Sequence, residues 1–118
     1  SIAQKRHKLA FPKTRVKIHV VSADELSNLA LLDRLDPFCR IEHINGTFQT
    51  AVCSDTLTPR WNETFTLEGQ QRMLNTPLTV KLFDFDSTLD NIVGHVTIPL
   101  SDLPPNKWVD KWCVLEKP

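Results

Sequence analysis

An antiparallel β-sandwich is the fold class this sequence predicts, on three observations. Apolar and polar residues alternate with period two along most of the chain, turn-forming residues interrupt it at short intervals, and no segment supports a helix longer than about two turns. In the first strand Val16, Ile18 and Val20 alternate with Lys17, His19 and Val21, up to the polar break Ser22-Ala23-Asp24-Glu25. A second strand follows Pro37, with Cys39 and Ile41 inward and Arg40 and Glu42 outward. Asn45-Gly46 predicts a two-residue hairpin turn, because both residue types accept positive φ at little cost. The partner strand runs from Thr47 to Cys53, and the turn-rich stretch Ser54 to Pro59 leads into a fourth strand, Trp61 to Leu67. Gly69 to Pro77 reads as a connection with a helical turn around Gln70 to Leu74. Leu78, Val80 and Leu82 form one face of a fifth strand, and Val93, Val96, Ile98 and Leu100 mark a sixth. Asp102 to Lys107 is a proline-broken link, and Val109 to Leu115 closes the chain as the seventh readable strand.

A chain of 118 residues with 41% hydrophobic content holds one ordinary core and one domain. Fourteen Lys plus Arg balance fourteen Asp plus Glu, so no global basic field draws it to nucleic acid, and no nucleic-acid partner is expected. Cys39, Cys53 and Cys113 are odd in number and widely spaced, without a C-x-x-C pair, which reads as reduced thiols in a cytoplasmic protein. No apolar run reaches the roughly 20 residues a membrane span requires, and the first residues lack the apolar core of a secretory signal. Residues 1–13 form a basic arm, Lys5-Arg6-His7-Lys8 with Lys13, read as a solvated terminus able to add screened attraction to anionic headgroups.

Two carboxylate clusters interrupt the apolar pattern at strand ends: Asp33-Arg34-Leu35-Asp36, and Asp84-Phe85-Asp86 running on to Asp90-Asn91. A hard cation needing six to eight oxygens draws them from segments that folding brings together, so calcium binding requires both loops at one end of the sandwich. Pro37 cannot continue a ladder and fixes the chain as it leaves the first cluster, with Asp36 at the tip. Asp84 and Asp86, two apart at a strand end, point to one side, and such carboxylates repel unless a cation lies between them. The structural alternative for this pair is a solvated acidic turn.

The chain resembles a C2 domain, the calcium- and lipid-binding β-sandwich module, over roughly residues 14 to 115. The likeness rests on ordered matches: Val16 to Ala23 followed by Leu26; Asp36-Pro37-Phe38; Thr56-Leu57-Thr58-Pro59-Arg60-Trp61-Asn62-Glu63-Thr64-Phe65; Leu78 to Asp86; Ile92-Val93-Gly94; and Trp112-Cys113-Val114-Leu115. The Asp-Pro-Phe and Trp-Asn-Glu-Thr-Phe strings are also similar to C2 modules of HECT-type ubiquitin ligases. The resemblance implies an eight-stranded Greek-key sandwich over residues 14–118, the eighth strand coming from Lys8 to Pro12 or from outside these residues. It implies calcium at Asp36, Asp84 and Asp86, with Asp33, Asp90 and Asn91 as further candidates. Ala30 stands where the family's first aspartate belongs, Asn91 stands at the last ligand position, and the later loop is one residue short of the common pattern. Fewer anionic ligands weaken such a site.

Apolar residues crowd the same loops. Leu31, Leu32, Arg34, Leu35, Leu89 and Ile92 are the expected membrane contacts, each leucine worth about 1.5–3 kcal/mol if fully buried in lipid. The competing expectation is that they pack beneath the loop as a satellite core. Thr47 to Cys53 has no Lys or Arg, which argues against a phosphoinositide patch on that strand.

One enzyme reading competes. Phe83-Asp84-Phe85-Asp86-Ser87-Thr88-Leu89 is similar to the first motif of haloacid-dehalogenase-type phosphatases, but that chemistry needs a doubly wound parallel sheet after the motif, and only strand-like or proline-broken sequence follows. His19 and His43 are expected on outer strand faces, and no histidine stands beside a nucleophile in a motif. The expected function is a non-catalytic, monomeric membrane-targeting module. It binds phospholipid through calcium and is cytoplasmic and reversibly membrane-associated. The alternative is a calcium-independent protein-interaction module with a degraded metal site.

Overall fold

Period-two alternation resolves into two antiparallel sheets in the computed structural model, which describes residues 13–28, 34–86 and 91–118. Strand β1 (Thr14–Ser22) pairs with β4 (Arg60–Gly69). The second sheet has the order β3-β2-β5-β6, from β2 (Pro37–His43), β3 (Gly46–Gln49), β5 (Leu78–Asp84) and β6 (Asn91–Ile98). A short 3-10 turn at Leu26–Asn28 follows β1, and a second, Gln71–Asn75, fills the connection where one helical turn is expected. The expected segment Lys8 to Pro12 lies outside the described residues.

Each strand gives one face to the interior. Val16 and Ile18 of β1 sit opposite Leu67 and Phe65 of β4, facing Ile41 and Leu78 of the other sheet across the core. Buried residues fall into two clusters, one around Ile41, Leu67, Met73, Leu78 and Leu100, the other around Leu26, Leu35, Cys39, Trp61 and Leu82. Asn62 takes φ 51° within β4, where Trp61 and Asn62 together oppose Val21 in a bulge. Asparagine tolerates this left-handed geometry better than most residues. The bulge leaves Asn62 exposed and Trp61 buried, so the indole plugs the second cluster.

Several expectations need correction. The hairpin turn is Ile44-Asn45, with His43 paired to Gly46, and none of these residues takes positive φ. The physical reason is a side-chain brace: His43 Nδ1 accepts the Asn45 N–H at 3.0 Å. The other ring nitrogen, Nε2, donates toward the carbonyls of Met73 and Thr76, 3.2 and 3.0 Å away. His43 is therefore buried rather than on an outer face, with both ring nitrogens engaged by the backbone. The third strand ends at Gln49, because Thr50 inserts its hydroxyl into the ladder and accepts the Cys39 N–H at 2.9 Å. The chain stays beside β2 nonetheless, through Cys53 N–H to the Pro37 carbonyl. At the C-terminal end, the expected seventh strand is reduced to one bridge, Glu116 with His95 of β6.

Cys39 is a core residue, and burial pushes its thiol up from 9.0 to about 12, with nearby Cys53 and Glu63 adding to the rise. The unfolded chain ionises this thiol first, so stability is unaffected by it below pH 9 and declines as pH climbs from 9 toward 12. Iodoacetamide at about pH 8 is expected to leave Cys39 unmodified in the folded chain and to alkylate it in urea, as read by peptide mass spectrometry. Labelling at equal rates in both states would contradict this assignment.

Candidate metal and membrane site

The start of β2 and the end of β5 are neighbours in the ladder, with Pro37 opposite Asp84, and Asp84 is in turn opposite Asn91 at the start of β6. Three sequence-predicted ligands, Asp36, Asp84 and Asn91, thus reach one end of one sheet through strand pairing alone. Asp36 is fixed there by three hydrogen bonds. Its N–H donates to Asp84 Oδ1 at 2.9 Å, its carbonyl accepts the Phe85 N–H at 2.9 Å, and its Oδ1 accepts the Asp55 N–H at 2.7 Å. Both carboxylates are half-buried and held by neutral backbone donors, and neither has an ion pair among the described residues. One oxygen of each accepts a backbone N–H, and the second has no hydrogen bond among the described residues. Two hard, anionic oxygens left this way fit a divalent cation such as calcium.

Asp86 lies two residues beyond the end of β5 and is exposed. Asp33 and Asp90 lie outside the described residues, as do Leu31, Leu32 and Leu89. Among the described residues, no trio of His, Cys, Asp and Glu side chains gathers closely enough to hold an ion.

Asp55 has no place in the sequence reading. It enters from the β3–β4 connection with φ 54°, a conformation that aims its N–H at Asp36. Its carboxylate pairs with Arg34 at 3.8 Å, both side chains being largely exposed, so the pair contributes little to stability. The only sequence signal was the turn-rich run Ser54 to Pro59, since backbone donation leaves no side-chain signature.

The apolar rim divides. Arg34 is exposed and faces the Asp55 carboxylate. Leu35 is not a membrane contact: it is 2% exposed and packs with Leu26, Cys39, Trp61 and Leu82, because the bond from Thr56 N–H to its carbonyl, 2.8 Å, draws that turn over the core. Ile92 is half-buried, paired with Phe83 across the β5–β6 ladder. Phe85 stands between Asp84 and Asp86 in sequence and is 48% exposed, an apolar residue at the tip. Phe83 and Asp84, which open the motif similar to phosphatases, lie at the end of β5 in an antiparallel sheet and not at the edge of a parallel one.

A family model described as C2 domain matches residues 14–115. Extended synaptotagmin-2 of Mus musculus is 28% identical over 127 residues, an alignment covering 98% of this chain and 14% of that protein. A calcium-dependent lipid-binding protein of Arabidopsis thaliana is 34% identical over 94 residues, 78% of this chain and 18% of that protein. Among solved structures, the calcium-bound tandem C2 domains of extended synaptotagmin 2 superpose with a TM-score of 0.73 at 27% identity, covering 89% of this chain and 41% of that one. Human GIVD cytosolic phospholipase A2 matches with a TM-score of 0.67 at 28% identity, over 82% of this chain and 15% of that one. The chain spans less than a fifth of the length of the two curated relatives.

Proposed function

The chain belongs to the C2 domain family, and from that premise we propose that residues 14–118 form a membrane-targeting module whose acidic tip takes up calcium and then phospholipid. The observation that carries this reading is the joined pair Asp36 and Asp84, two carboxylates linked by the Asp36 N–H and without a cationic partner among the described residues. Asp36 and Asp84 supply the core of the site, and Asp86, Asn91, Asp33 and Asp90 are the candidates to complete it. Calcium bound there supplies positive charge where the tip is otherwise repelled by anionic headgroups. Arg34 adds attraction to phosphate, Phe85 offers apolar surface to the interface, and the basic arm over residues 1–13 strengthens the contact. Two similarities support the reading: the relative named as calcium-dependent and lipid-binding, and the calcium-bound neighbour. Attachment through the tip is peripheral and reversible, at a cytoplasmic surface, and among the described residues no helix is long and apolar enough to cross a membrane.

The test is sedimentation with phosphatidylserine-containing vesicles, in calcium and in chelator. Binding is expected in calcium, weakening with salt, and little binding in chelator. Equal binding in both, or none in either, would remove the proposal. Ala30 and Asn91, standing at two positions where the family carries aspartate, favour a second reading, a calcium-independent protein-interaction domain, which predicts the latter outcome.

A further inference from the structure

The connection between β3 and β4 is bonded along the first acidic turn. Cys53 N–H donates to the Pro37 carbonyl at 3.0 Å, Asp55 N–H to Asp36 Oδ1 at 2.7 Å, and Thr56 N–H to the Leu35 carbonyl at 2.8 Å. Three steps of chain from Cys53 to Thr56 thus run against two from Leu35 to Pro37. The extra residue is taken up as in a bulge, by a left-handed backbone at Asp55, φ 54°. The middle bond differs in kind from its neighbours. Asp36 spends its backbone N–H and carbonyl on the β5 side, with Asp84 Oδ1 and the Phe85 N–H, so the acceptor it turns to the connection is its carboxylate.

A carboxylate that holds a cation gains affinity from an outer partner that fixes its orientation. An amide N–H is such a partner, and it adds no charge to the site. Aspartate at position 55 therefore has two separable properties. Its carboxylate, 3.8 Å from the Arg34 guanidinium, belongs to an exposed and screened pair. Its backbone occupies a region that aspartate, asparagine and glycine enter readily and that β-branched residues avoid. We infer that Asp55 is a positioning residue of the calcium site and acts through its backbone: the left-handed turn aims the N–H that holds the Asp36 carboxylate in place for the cation, and the side-chain charge adds little. The inference rests on the calcium reading of the tip and adds to it a residue outside the ligand set.

Calcium alone, without lipid, is titrated calorimetrically into the 118-residue chain and its variants, with urea unfolding to show that each is folded. Asp55→Asn and Asp55→Gly keep the conformation and lose the charge, and both are expected to bind within about threefold of the parent. Asp55→Val loses both, and is expected to bind at least about tenfold more weakly. A second readout needs no calcium. In Asp55→Gly, where residue 55 has no carboxylate of its own, its amide proton is expected to move upfield in NMR spectra as acid protonates Asp36, and adding Asp36→Asn should remove that movement. A turn that merely shapes the loop leaves this amide indifferent to Asp36. Asparagine and glycine variants weakened as far as valine would make the carboxylate the active part and overturn the inference. A valine variant at parental affinity, or an amide that ignores the acid titration, overturns it as well, with calcium binding by the parent intact. No calcium uptake by the parent is the separate failure, which removes the proposed function and this inference together.

Discussion

Exchanging Asp84 for asparagine is expected to lower calcium affinity roughly ten- to a hundredfold while leaving the unfolding midpoint in urea unchanged or slightly raised. The asparagine carbonyl can still accept the Asp36 N–H, now made to Asp84 Oδ1 at 2.9 Å, so the geometry that joins β2 to β5 survives. What disappears is one negative charge. Unit charges about 4 Å apart interact by about 4 kcal/mol at an effective dielectric of about 20, and water and the remaining ligands recover part of that loss. The same deletion relieves the repulsion between Asp84 and Asp36, which is why stability does not fall. Asp84→Ala separates the two effects, because it also strands the half-buried Asp36 N–H, at a cost of about 1–3 kcal/mol. Calorimetric titration with calcium reads the first quantity and urea unfolding the second. If asparagine at this position binds calcium as tightly as the parent, Asp84 is not a ligand and the tip is an acidic turn stabilised by its own backbone.

The two ends of this site were unequally legible in the sequence. Asp36 and Asp84 could be placed together because each closes a strand with a clear buried face, and Pro37 pins the boundary of one of them. Asp55 could not, since its contribution is an amide aimed by a positive φ, and aspartate in a turn says nothing about which way its N–H points. Alternation identified faces but not edges. It placed Val16, Ile18, Cys39, Ile41 and Leu82 inward correctly, yet it also presented Val109 to Leu115 as a strand, although those residues join no ladder and the one bridge, Glu116 with His95, comes just after them. His43 shows a second limit: a polar residue within an alternating strand reads as outward until carbonyls at Met73 and Thr76 and an amide at Asn45 satisfy both ring nitrogens. Likewise the leucine-rich run before Asp36 held both membrane contacts and core residues by composition, and only packing could assign Leu35 to the core.

Leu35→Ala provides the sharpest separation of those two roles. As a fully buried side chain packed on Leu26, Cys39, Trp61 and Leu82, it is expected to destabilise the fold by about 2–5 kcal/mol when truncated, from lost burial together with the cavity left behind. For a domain of this size that corresponds to a drop in melting temperature on the order of 10 °C or more. Vesicle binding per folded molecule should be unchanged, measured well below the new midpoint. A residue that inserts into lipid behaves in the opposite way, and Phe85→Ala is the matching control. At 48% exposure its loss should change stability by less than about 1 kcal/mol while reducing calcium-dependent vesicle sedimentation. The two variants therefore exchange their losses: one in urea with intact membrane binding, the other on vesicles with an intact fold. Should Leu35→Ala keep the parent midpoint and lose vesicle binding, the turn from Arg34 to Asp36 must open toward the membrane. That opening would break the Thr56 N–H bond to the Leu35 carbonyl, and with it the support that positions Asp36.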